Sequence, residues 1–307
     1  METVRYDTFS TLMDDFYALR EQQERVRQRG ADLLRTATTA RDRIRRKLAM
    51  QEKDYAATQN RDQLRLYGDL ITANLYRMER GAARLETENF YDPECRPVAI
   101  PLDPLLTPQQ NAAKYYKRYT KAKTAEKYLA EQMALARRDL DYLESVLEEL
   151  SRAETEQDFL DIRGELRDAG FLRRQGKKEQ NRPAKPLEFR TTSGFRVLVG
   201  RNNRQNDKLT RSADHRDIWL HTQKIHGSHV ILCTGGREVD DDTIVEAAKL
   251  AAWFSQAREG ANVPVDYTPV KNVKKPAGAR PGMVIYSTCR TVNVAPEEGL
   301  VKKLQLS

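Results

Sequence analysis

From Phe9 to about Ala57 the chain has no proline and a single glycine, Gly30. Val26, Gly30, Leu33, Ala37, Ala40 and Ile44 recur at alternating steps of four and three. That spacing predicts a long helix with a coiled-coil seam. Three of the six seam positions are Gly or Ala, so the seam is thin and permits close approach. A second helix is expected from Thr107-Pro108-Gln109-Gln110, where Thr107 caps, Pro108 suits the first helical position and Gln110 completes a capping box. Its apolar positions Leu129, Met133, Ala136, Leu140, Leu143, Leu147 and Leu150 follow the same rhythm. Two such helices of similar length pair most simply as an antiparallel hairpin, though a dimeric coiled coil fits the same pattern.

Between the helices, Arg61 to Gly81 reads as a shorter helix, and ENFYDPECRPVAIPLDP as two short strands broken by Pro93 and Pro97. A small insert, about 61–106, is therefore expected at the far end of the hairpin. It serves either as a docking point with exposed aromatics or as a cap that closes the coil. Glu154 to Gly170 adds a further short helix. The residues that follow, with Arg173, Arg174, Lys177, Lys178, Arg182 and Lys185 around Pro183 and Pro186, read as a basic linker. The expected division is a helical region over 1–170, a linker over 171–186 and a second domain over 187–307.

In that second domain the periodicity changes from helical to alternating. FRTTSGFRVLVG reads as a hairpin turning at Ser193-Gly194, with Phe195, Val197 and Val199 on one face. DIWLHT and HVILCT read as strands, and Asp240 to Glu259 as a helix with an alanine-rich apolar stripe. MVIYST and RTVNVAP are expected to pair with each other near Thr288-Cys289-Arg290. The fold class is α+β: a helical hairpin with a tip insert, then a mostly antiparallel sheet covered by one helix.

Composition sharpens the functional side. The 307 residues are 32% charged and only 39% hydrophobic, with a formal net charge of +8. The mean hydropathy is −0.76 and the pI about 9.3. A basic balance favours nucleic acid or an anionic surface as partner. No apolar run is long enough to span a bilayer, and METVRYDTFS lacks the pattern of a secretory signal. Three widely spaced cysteines, Cys95, Cys233 and Cys289, give no disulfide framework and fit a reducing cytoplasm.

The chain contains no GxxxxGK[ST], no GxGxxG after a strand and no GxSxG, so no nucleotide cofactor is implied. His221, His226, His229 and Cys233 are candidate zinc ligands, since close pairs of this kind hold metal. The competing reading is of structural histidines. Asp217, Trp219 and His221 alternate, so on a strand they share one face. They form either a stacking platform for a nucleotide or an Asp–His hydrogen bond beneath a packed Trp219. Two basic loops flank them. One holds Arg201, Asn202 and Asn203 and runs to Lys208. The other, Lys271 to Arg280, contains Lys274 and Lys275. Amides and cations together suit phosphate contacts, and a solvated charged face is the plain alternative.

GRNNRQNDKLT, DIWLHT, IHGSHVIL, EAAKLAAWFSQAR, VPVDYTPVKNVKKPAGARPGMVIY and VAPEEGL resemble the RNA-binding domain of the NFACT family. RLYGDLITANLY and IPLDPLLTPQQNAAKYYKRYTKAK resemble the middle coiled-coil domain of the same family. The resemblance implies a binding module rather than an enzyme, acting in ribosome-associated quality control in the cytoplasm. It implies the large ribosomal subunit with stalled peptidyl-tRNA, tRNA and ribosomal RNA as partners, with the coiled-coil tip at the stalk base and no membrane. The family's DxWxH pattern falls on Asp217, Trp219 and His221. A full member begins with a tRNA-binding domain and a helix-hairpin-helix domain, so alanine tailing is not expected of this chain alone. Two alternatives remain: a fibronectin-binding surface adhesin, and a metal-dependent nuclease or hydrolase using His221, His226 and His229.

Overall fold

The computed structural model describes residues 8–173 and 184–306. Arg174, Lys177, Lys178 and Arg182 of the expected linker lie outside the described residues. The chain forms two compact units, Ile44–Arg137 and Met1–Arg43 with Arg138–Ser307. The helices α1 (Phe9–Thr58) and α3 (Pro108–Arg152) each contribute to both.

In the unit over 44–137, Glu52 of α1 meets Arg137 of α3 at 2.9 Å, and Arg61 at the start of α2 (Arg61–Ala73) pairs with Glu126 of α3. As one number rises the other falls, so the packing is antiparallel. Thr107 and Gln110 form the reciprocal cap that starts α3. The helix expected to reach Gly81 ends at Ala73 and is followed by a 3-10 turn, Leu75–Arg77. The two short strands, β1 (Arg84–Glu88) and β2 (Pro97–Pro101), pair antiparallel. They close over Leu70, Ile71, Leu85, Ile100, Ala112 and Tyr115. Tyr76, Phe90, Tyr91 and Leu105 remain exposed on this insert.

In the other unit, α4 (Glu156–Asp168) begins with a second capping box, Thr155 with Asp158. The thin stretch of seam in α1 has a specific use here. A Cβ on Gly30 would stand 2.8 Å from the Phe159 ring of α4, closer than real contacts allow. The glycine admits an aromatic ring of the short helix.

Six strands build one antiparallel sheet in the order β10-β7-β5-β6-β4-β3. The hairpin is β3 (Leu187–Arg190) and β4 (Arg196–Val199), turning at Gly194 with φ +87°. β5 spans Ile218–Thr222, β6 Val230–Cys233, β7 Val263–Pro269 and β10 Arg290–Val294. The last two segments of the chain do not pair with each other as expected. β10 pairs with β7, while β9 (Ile285–Tyr286) pairs with β8 (Val273–Lys274). The strand that the sequence reading passed over, β7, supplies the reason. Its Val263, Val265 and Tyr267 alternate towards the core, so it takes a central place between β5 and β10.

Helix α6 (Asp241–Trp253) covers one face of the sheet. Ala247, Ala248 and Ala251 let it lie close against Val197, Val199, Leu220, Val230 and Leu232. A short final helix, α7 (Glu298–Leu304), adds Val301 and Leu304 to that core. The expected single covering helix therefore has a counterpart. The stretch read as a basic loop is helix α5 (Asn203–Ser212), whose Leu209 packs on Trp219, Ile231 and Val270 of the opposite face. Asn202 caps it, accepting a hydrogen bond from Gln205 N at 2.9 Å.

Candidate nucleic-acid interface

Helix α5 presents Arg204, Lys208 and Arg211 to solvent, four and three residues apart on one side. Beside it lies the segment from Val270 to Tyr286. The Lys271 N–H donates to the His215 carbonyl at 3.2 Å, Gly282 N–H donates to Asp207 at 3.1 Å, and Lys275 pairs with Asp207. Lys271, Lys274 and Lys275 are exposed. Lys208, Arg211, Lys271 and Lys274 have no carboxylate partner among the described residues. Unpaired cations on a fixed frame suit phosphate, because no internal ion pair has to be broken for them to bind it.

The other residues expected at the interface are used internally. Arg201 reaches Asp158 at 3.1 Å and the Lys185 carbonyl at 3.1 Å. Asn202 is the buried cap of α5, and buried Asn203 donates to Ser145 Oγ at 2.9 Å and to Glu165 at 3.2 Å. Arg280 grips Asp139 at 2.6 Å and the Ala169 carbonyl at 3.1 Å, over the rings of Tyr142 and Phe171. Arg201, Asn203 and Arg280 join α3 and α4 to the sheet, while Asn202 caps α5. Their composition suggested phosphate contacts, but carboxylates on α3 and α4, distant in sequence, take their hydrogen bonds. A close approach is built into the same joint: a Cβ on Gly200 would meet Asn206 Oδ1 at 1.9 Å.

The alternating triplet also resolves differently from a platform. Asp217 is buried and accepts from Gly235 N–H at 2.9 Å and Asp214 N–H at 3.2 Å, shaping the turns at both ends of its neighbourhood. Trp219 is fully buried, so its indole face is not open to a base. Its Nε1 has no hydrogen-bond partner among the described residues. Trp219 stacks on His221 at 5.6 Å between centroids and 10° between planes, and meets His229 edge-on at 5.3 Å. His221 donates from Nδ1 to the Thr222 carbonyl at 2.8 Å rather than to Asp217. His229 is hydrogen-bonded through Nδ1 to Thr210 Oγ1 at 2.7 Å. Burial pushes both imidazoles below the ordinary histidine range, His229 to about 3, so they are neutral near neutral pH. Among the described residues no three His, Cys, Asp or Glu side chains converge as metal ligands, and His221 and His229 each already hold a protein partner. His226 lies 3.7 Å from Asp141 and 4.0 Å from Glu144.

Two features escaped the sequence reading. One is a cleft of about 310 Å³ between α3 and the sheet, with Asp141 and Ser145 on one side and His221, His226 and Met283 on the other. The other is a buried acid pair. Glu165 accepts from Tyr142 at 2.9 Å, from Asn203, and from the Arg204 N–H at 3.3 Å. Neither oxygen of Glu149 has a hydrogen-bond partner among the described residues. Burial, and then the neighbouring Glu165 charge, hold the Glu149 carboxyl well above the usual range, so it keeps its proton. Glu149 lies three residues after buried Val146 and next to buried Leu150, and nothing in a single sequence announces a glutamate that points inward.

A helical segment joined to an antiparallel α+β domain, with a basic surface on α5 and its neighbouring segment, defines the class. The chain belongs to the NFACT family. The family model described as NFACT N-terminal and middle domains matches residues 1–185, and that described as NFACT protein RNA binding domain matches 185–287. The chain is similar to the Rqc2 homolog RqcH of Bacillus subtilis, 41% identical over all of this chain and 54% of that protein. The Streptococcus pneumoniae protein of the same name is 35% identical over 98% of this chain and 54% of its own length. The chain thus spans about half the length of these relatives. Among solved structures, the C-terminal part of the fibronectin/fibrinogen-binding protein of Streptococcus suis superimposes with a TM-score of 0.73 at 30% identity, covering 92% of this chain and all of that one.

Proposed function

We propose that this chain is the ribosome- and RNA-binding part of a ribosome-associated quality-control factor. The observation that carries the reading is a coincidence of place. The segment matched by the RNA-binding family model is the segment that bears the unpaired cations Lys208, Arg211, Lys271 and Lys274. The similarity to the two RqcH proteins supplies the biological setting. In this reading the α5 side grips RNA phosphates, on tRNA or ribosomal RNA. Tyr76, Phe90, Tyr91 and Leu105 on the insert of the 44–137 unit contact the stalk base of the large subunit. The chain acts as a binding module, and alanyl-tRNA recruitment for C-terminal tailing belongs to a longer protein. In this reading the cytoplasm is its place of action, as the similarity to the RqcH proteins suggests.

Sedimentation with purified large subunits through a sucrose gradient tests this. Comigration carrying stalled peptidyl-tRNA is expected, and Tyr76→Ala with Leu105→Ala should weaken it. A chain that stays at the top of the gradient at low salt contradicts the reading. The similarity to the Streptococcus suis protein favours a second reading, fibronectin or fibrinogen binding, which a direct binding assay with those proteins examines.

A further inference from the structure

The cleft between α3 and the sheet has properties that phosphate binding does not use. Its α3 wall is acidic: Asp141 is more than half exposed, and Glu144 stands on the same side of the helix. Carboxylates repel phosphate, but they accept hydrogen bonds from N–H groups. Its opposite wall is aromatic. Trp219 and His221 form a nearly parallel stack, of which Trp219 is the buried end and His221 the half-buried end that lines the cleft. Tyr286, 4.8 Å from the Trp219 ring, and Met283 complete that wall. His221 is neutral, so it offers a flat ring rather than a charge. At the edge, Lys224 is exposed and positively charged.

We propose that this cleft receives one unstacked nucleobase of the bound RNA, with guanine preferred. A single planar ring fits a space of about 310 Å³, and it continues the Trp219–His221 stack. Guanine carries two adjacent donors, N1–H and N2–H, which one carboxylate such as Asp141 accepts together. Uracil offers a single N–H donor between two carbonyls, and those carbonyls face an acidic wall badly. Lys224 is placed for the attached phosphate. The inference rests on the RNA-binding reading above, and it adds the base class and the residues that choose it. It also gives buried Trp219 a role: it backs the stack instead of forming its open surface.

The test is histidine-ring NMR of the whole chain, titrated with guanosine monophosphate, uridine monophosphate and ribose 5-phosphate. The His221 and His226 resonances should move with guanosine monophosphate at millimolar concentrations and not with ribose 5-phosphate. Asp141→Asn, at an exposed position and expected to leave the melting temperature unchanged, should cut the preference for guanosine over uridine monophosphate about tenfold, the usual worth of one bidentate base contact. Equal shifts with ribose 5-phosphate overturn the base assignment. No shift with any nucleotide, in a chain that still binds tRNA at low salt, overturns the cleft proposal and leaves the RNA reading standing. Shifts with guanosine monophosphate in a chain that ignores tRNA sustain the cleft and remove the RNA reading.

Discussion

The two faces of the six-stranded sheet are built on opposite plans. Under α6 the strands present Val197, Val199, Leu220, Val230 and Leu232, all fully buried against alanines. On the other face a small apolar patch, Leu209, Trp219, Ile231 and Val270, gives way to His221, His229, Thr210, Asn206 and Asp266. Asp266 alone accepts from Tyr286 at 2.8 Å, Thr291 at 2.6 Å and Gln223 at 3.3 Å. A buried polar group is tolerated only when it is partnered, so this second face has to be assembled as a network. The dry face supplies stability, and the polar face spends part of it on shape. The basic surface, the cleft and the contact with α3 and α4 all lie on the polar side.

The contrast is broken most strongly on the dry face. Leu232→Ala should cost about 2–5 kcal/mol, read by chemical denaturation, because a close-packed core cannot collapse into the space left. RNA affinity of the fraction still folded should not change. On the polar side the largest effect has the opposite sign. Glu149 is protonated in the fold but ionises when unfolded, so it weakens the protein increasingly as pH rises above its unfolded value of 4.5. Glu149→Gln keeps the shape and removes that ionisation, and should raise stability near neutral pH, read by chemical denaturation. A lower melting temperature for this variant would show that the carboxylate is charged and solvated.

His229 responds in the other direction. Its folded pKa of about 3 lies below its ordinary 6.5, so the unfolded chain binds the proton first. The contribution is complete above 6.5 and is lost as pH falls towards 3, by at most about 1.4 kcal/mol per pH unit. Between 4.5 and 6.5 the Glu149 and His229 slopes oppose each other. The loss on acidification should therefore appear clearly in Glu149→Gln and shrink again in Glu149→Gln with His229→Asn, measured as stability at about pH 5 and about pH 7. The smallest effect on folding belongs to the exposed lysines. Lys271→Glu with Lys274→Glu should alter stability by less than about 0.5 kcal/mol while weakening RNA binding broadly.

The long helices, the cap at Thr107, the hairpin at Gly194 and the strands around Trp219 and Val230 were all legible in the chain, because each depends on local spacing or turn chemistry. The partners of β7 and β10 were not. Which strands lie side by side is decided by long-range packing, and VPVDYTP carries no neighbour's name. The basic surface was half legible. Of the residues read as phosphate contacts, Lys271 and Lys274 are exposed without a carboxylate partner among the described residues, whereas Arg201 and Arg280 are claimed by Asp158 and Asp139. Charge shows in a sequence, but its internal partners appear only when elements distant in the chain are brought together. Trp219 carries the same lesson, since alternation gave its strand face correctly but not the α5 helix that covers it.

The central claim is that free cations on α5 and on the 271–274 segment hold RNA phosphates. Affinity for tRNA measured across a salt series, for the chain and for Lys271→Glu with Lys274→Glu, tests it most directly. The account predicts a steep linear fall of log affinity with log salt, with a slope shallower by about one per lysine removed. A slope near zero, or one that the double substitution leaves unchanged, would contradict it.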